Sequence, residues 1–142
     1  MRWRGRPGWA RWVAAGYVIG FVEGTAAHAY FAVAGGLHAY GYAPLPVQPL
    51  FHALLFLDPL VAVLVARARP VGPLLGAAVM LADTTANWWV QWGAVLAHPI
   101  AYLRPVGLLP ITLFGVFVLS TALPLHRASR TGVRSRASCA PA

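Results

Sequence analysis

The sequence predicts an all-α chain: an integral membrane four-helix bundle made of two antiparallel hairpins, with both termini in the cytoplasm. Three observations predict it, namely four apolar runs of spanning length, arginines gathered at alternate ends of those runs, and tryptophans near run ends. Of the 142 residues, 59% are hydrophobic and 10% charged, and the mean hydropathy is +0.65. That balance lies far from a soluble domain. The runs fall at about 12–34, 50–66, 71–96 and 106–123, each near the ~20 residues a helix needs to cross the hydrocarbon core. Residues 1–11 then form a basic cytoplasmic N-terminus, 12–125 a four-span domain, and 126–142 a basic, disordered tail.

The orientation comes from arginine, since the chain has no lysine. Arg2, Arg4, Arg6 and Arg11 precede span one, Arg67 and Arg69 separate spans two and three, and Arg127, Arg130, Arg134 and Arg136 follow span four. Only Arg104 lies at the other ends. This is a positive-inside pattern, and it divides the basic residues among span ends, which argues against a nucleic-acid-binding face. Trp3, Trp9 and Trp12 at the inner end of span one, and Trp88, Trp89 and Trp92 towards the outer end of span three, read as interface anchors. Richness in Arg, Ala, Gly, Pro and Val fits a GC-rich bacterial gene, so the expected location is the bacterial plasma membrane.

Span one carries Glu23 about eleven residues from its inner end, roughly 16 Å deep and close to mid-membrane. The pattern Gly16-x-x-x-Gly20-x-x-x-Gly24 presses one face of this helix against a neighbour, and Glu23, within about 60° of that face, is expected to point inward. "AHA" at 27–29 resembles a signal-peptide cleavage site, but an acid in the run and the length of the run argue against one. Gly35 and Gly36 end the span, and the prolines of "GGLHAYGYAPLPVQP", 35–49, make an irregular outer loop. Span two holds His52 and Asp58, with Pro59 withdrawing a donor from the Leu55 carbonyl. "RARPVGP", 67–73, is the inner turn. Span three puts Gly76, Met80, Asp83, Asn87 and Gln91 on one stripe about 80° wide, with its tryptophans opposite. "HPIAYLRP", 98–105, is the second outer turn, and span four, free of ionisable groups, reads as scaffold.

All three acids, Glu23, Asp58 and Asp83, thus lie inside spans and at similar depth. An acid at a helix centre costs about 2.5–3.5 kcal/mol on insertion scales, so such residues face a bundle interior or cavity. His28, His52, Asn87 and Gln91 fall in the outer part of their spans, with His38 and His98 in the outer loops. Together they outline a polar column leading from outside to the three acids. No H-x-x-x-H or C-x-x-C spacing supports a metal, no cofactor motif occurs, and the single Cys139 excludes an internal disulfide. "CAPA" at the C-terminus matches a prenylation box by chance.

Through "EGTAAHAY", "FHALLFLDPL" and "LADTTANWW", residues 10–125 resemble the small four-span membrane proteins of GC-rich bacteria. In architecture, more distantly, the chain is similar to the EXPERA group of sterol isomerases and sterol-binding membrane proteins. That resemblance implies only that such a bundle can hold a lipophilic ligand near mid-membrane carboxylates. Three readings stay open: binding or transport of a small cationic or lipophilic ligand or of protons; an enzyme doing acid/base chemistry on a lipid-like substrate; and an accessory subunit. The expected partners are the lipid bilayer and either a second copy or another membrane protein, with no nucleic acid.

Overall fold

The computed structural model describes residues 3, 5–104 and 107–137. These form helices joined by turns, without strands: α1 Gly8–Gly35, α2 Val47–Ala66, α3 Val71–Ala97 and α4 Leu108–Ala137, with short 3-10 turns at Gly36–His38 and Pro99–Leu103. The contacts of α1 with α2 and of α3 with α4 are the most extensive, followed by α2 with α3, and α1 touches α4 least.

One spacing organises the core. The inward residues of α1 are Ala10, Ala14, Tyr17, Phe21, Gly24 and His28, and those of α2 are Val47, Phe51, Leu54, Asp58, Val61 and Val65. In α3 they are Gly72, Gly76, Val79, Asp83, Ala86 and Val90, and in α4 they include Gly115, Val118, Ala122, Leu125 and Ser129. Each series alternates steps of three and four residues, which keeps one stripe of a helix facing its neighbours. Small residues set the closest approaches: Gly72 meets the backbone of Leu64 and Val65, Gly76 meets Val61 and Phe21, and Gly16 meets Phe117. Between helices the Tyr17 hydroxyl donates to the Val118 carbonyl at 2.7 Å, and Trp88 Nε1 to Thr112 Oγ1 at 2.9 Å.

Helix limits differ from those expected where local chemistry permits more helix. α2 begins at Val47 because Pro49 falls in its first turn, where no intrahelical donor is required. It also runs unbroken through Pro59. α2 ends in a turn where Ala68 takes a left-handed φ of 54°, its N–H bonding Val65 at 2.8 Å while that of Arg69 bonds Leu64 at 2.9 Å. The largest correction is at α4. A disordered tail was expected from residue 126, yet the helix continues to Ala137. Leu, Ala and Arg favour helix, and this extension is tied down: Leu125, Ala128 and Ser129 are buried, and His126 Nδ1 lies 2.7 Å from the Pro70 carbonyl. Arg2, Arg4, Val106 and Cys139 lie outside the described residues.

Among the described residues three stretches, Gly8–His38, Val47–Ala66 and Leu108–Arg130, are long and apolar enough to cross a membrane. The 27-residue α3 is long enough, but Asp83, Thr84, Thr85, Asn87 and Gln91 dilute its apolarity. Trp3 corrects the anchor reading at the chain start: it is 1% exposed, donates Nε1–H to the Val65 carbonyl at 2.8 Å, and carries the Arg6 guanidinium 4.9 Å over its ring.

Candidate functional site

Asp58 sits where the α2 stripe would otherwise place an apolar side chain, 5% exposed. It fits because Gly24 faces it on α1: a Cβ at Gly24 would stand 2.6 Å from Asp58 Oδ2. Four residues on, one turn up the same stripe, His28 places Nε2 4.0 Å from that oxygen. At this distance the groups attract but share no hydrogen bond. Among the described residues this nine-tenths buried carboxylate accepts no hydrogen bond, and the imidazole is its ion-pair neighbour.

The other ring nitrogen of His28, Nδ1, is 2.8 Å from the Tyr40 hydroxyl. Tyr40 lies in the loop between α1 and α2, yet it is 2% exposed, packed against Phe51 at 5.1 Å and edge-on to His52 at 4.9 Å between ring centroids. Burial pushes its phenol up to about 12, helped by Tyr42 and by the carboxylates of Asp83 and Asp58. A phenol this weakly acidic stays protonated at neutral pH and donates to Nδ1, which leaves the imidazole N–H on Nε2, turned towards Asp58 but 4.0 Å short of it. Asp58, His28 and Tyr40 therefore form a line from inside the bundle to its loop end.

Asp83 brings a second carboxylate into the same field from α3. Its Oδ1 accepts from Asn87 Nδ2 at 2.9 Å, and Gln91 Nε2 donates to Asn87 Oδ1 at 3.4 Å, so three half-buried groups climb one face of α3 as a ladder. Among the described residues no three His, Cys, Asp or Glu side chains are grouped to hold a metal ion.

Comparison with known proteins finds no matching family model, curated protein or solved structure. The assignment of the site rests on its own geometry.

Of the residues singled out from the sequence, the structure groups Asp58, His28 and the Asp83–Asn87–Gln91 ladder. His52 braces the loop, with Nδ1 2.9 Å from the Gln48 carbonyl and Nε2 3.4 Å from that of Gly36. His38 and His98 are exposed. Glu23 is exposed too, contrary to the inward position expected. The buried stripe of α1 runs through Tyr17 and Phe21, and at about 100° per residue Glu23 falls roughly 150° from its centre. Gly16 and Gly20 do pack, against Phe117 and Phe114 of α4, but on the flank of the stripe. Tyr40 is the residue that sequence reasoning missed; paired tyrosines in a loop of small residues were the one hint.

On the outside, an apolar groove of about 420 Å³ runs between α2 and α3, bordered by Val47, Leu50, Leu81, Ala82, Ala86 and Trp89.

Proposed function

We propose that this chain is a four-span integral membrane protein of the bacterial plasma membrane, its hairpins antiparallel and both termini cytoplasmic, and that its interior site takes up and releases protons or a small cation from the loop end. Membrane residence is supported by the outer surface. Exposed apolar side chains occur on every helix, among them Ile19, Phe56, Leu60, Leu81, Trp89, Leu113 and Val116. This includes α3, whose polar residues Asp83, Asn87 and Gln91 are half-buried while Leu74, Leu81, Trp92 and Leu96 are exposed. A helix with its polar side inward and its apolar side outward suits lipid even when its average hydropathy is modest.

The observation that carries the functional reading is the buried carboxylate of Asp58, 4.0 Å from His28 and without a hydrogen bond among the described residues. A carboxylate so placed is stabilised by whatever positive charge arrives, whether a proton on its own oxygen, a proton on His28, or a bound cation. The hydrogen bond between Tyr40 and His28 leads from the loop to within 4.0 Å of Asp58, a gap that a small movement of the imidazole closes, and Asp83 adds negative potential.

The test is infrared titration of the purified protein in lipid nanodiscs, with the protonated-carboxyl band followed against pH, and proton uptake by proteoliposomes under an imposed pH gradient. Wild type is expected to show a titrating band that disappears in Asp58→Asn, with uptake falling in parallel. A band and an uptake rate unchanged by Asp58→Asn overturn the reading. The groove between α2 and α3 favours a second reading, a lipophilic ligand held from the membrane side; quenching of Trp89 by brominated acyl chains tests it.

A further inference from the structure

Glu23 takes no part in the site, and its surroundings give it a different role. Its side of α1 is turned away from the bundle: Ile19, Val22, Ala26 and Tyr30 are all exposed, and Glu23 has no hydrogen bond or ion pair among the described residues. Ile19, Glu23, Ala26 and Tyr30 succeed one another at the same three-and-four spacing that packs the buried side of the helix. On the membrane placement proposed above, this carboxylate faces hydrocarbon near the middle of α1, a costly position that a polar partner relieves.

We propose that this face is the contact between two copies of the chain, related by a two-fold axis, with Glu23 paired to its counterpart. Three arguments select a second copy. Copies inserted in one orientation carry Glu23 at one depth, so a two-fold axis along the membrane normal aligns the pair automatically, whereas an unrelated helix needs a matching group at that level. A carboxylic acid complements a carboxylate, so two glutamates sharing one proton make a self-complementary hydrogen bond, O–H to O⁻. Ala26, one turn away on the same face, leaves room for close helix approach.

The test is disulfide trapping in isolated membranes. Ala26→Cys, in a Cys139→Ser background, is oxidised beside a control, Val63→Cys, on the exposed side of α2. The expected result is a covalent dimer from Ala26→Cys and none from Val63→Cys. Adding Glu23→Leu is expected to lower the trapped fraction about three- to tenfold, the worth of an interhelical hydrogen bond in a membrane, while Glu23→Gln, which still donates and accepts, retains it. A carbonate wash of the same membranes separates two failures. No dimer, a dimer indifferent to Glu23→Leu, or a cross-link to a protein of another mass, in chains that stay in washed membranes, overturns the two-copy contact alone. Release of the chain by carbonate overturns the membrane placement and the contact with it.

Discussion

Gly24 and Asp58 touch across the α1–α2 contact so closely that a methyl group on Gly24 would stand 2.6 Å from Oδ2. The carboxylate is buried because the facing helix offers it no side chain. Gly24→Ala must therefore displace Asp58 or part the helices. We expect a loss of about 1–3 kcal/mol in unfolding experiments in detergent, as for other overpacked contacts, together with a shift in the titrating carboxyl band. Unchanged stability and an unchanged band refute so close a contact.

Tyr40 links the loop to His28, and its protonation gives a pH signature. An unfolded tyrosine releases its proton near 10.0, whereas the folded chain holds that of Tyr40 up to about 12. Between these values the folded state binds more protons than the unfolded one, so stability is fully present below the lower value and declines as pH rises through the window. Tyr40→Phe removes this part of the decline, and by deleting the bond to His28 Nδ1 it costs about 0.5–1.5 kcal/mol at neutral pH. Denaturant unfolding of both forms at about pH 9 and about pH 11 measures the difference; parallel losses in the two proteins contradict the raised phenol.

The helical class was legible because hydropathy averages over many residues. What could not be read was which side of α1 faces in. Glycines 16, 20 and 24 advertised one packing face, while the dominant stripe, Ala14-Tyr17-Phe21-Gly24-His28, mixes small, aromatic and polar residues and has no hydropathy contrast with the outer face. On the membrane placement proposed above both faces of the helix are apolar, so the contrast that orients a soluble helix is missing. Tyr40 was hidden for a different reason: its burial depends on Phe51 and His52 of the next helix, a contact no local pattern encodes. The end of α4 misled because its arginines suggested solvent, although Arg6 reaches across to bond the Ala128 carbonyl at 3.0 Å.

Trp3 offers a direct choice between core residue and interface anchor. Trp3→Phe keeps most of the packing and loses the bond to the Val65 carbonyl, at about 0.5–1.5 kcal/mol. Trp3→Ala empties a site that is 1% exposed, at about 3–5 kcal/mol. Thermal unfolding of the two variants should rank them in that order. If Trp3→Ala melts like wild type, the side chain is an anchor in the head-group region and its place in the core is wrong.

Among the described residues, the Thr84 hydroxyl oxygen is wholly buried and lacks a hydrogen-bond partner. It points at α4, where a Cβ on Gly115 would lie 2.7 Å from Oγ1, so the hydroxyl is enclosed by a helix that offers it no acceptor. An unmatched buried hydroxyl carries a desolvation penalty of about 1–3 kcal/mol. Thr84→Val keeps the branched shape and removes the polar atom, and it is expected to raise stability by about 1 kcal/mol. Thr84→Ser keeps the hydroxyl and loses a methyl, and is expected to lower it. Opposite signs for the two substitutions in denaturation experiments identify the unmatched oxygen as the source of strain between α3 and α4. A destabilising Thr84→Val shows instead that the hydroxyl has an acceptor in the folded protein.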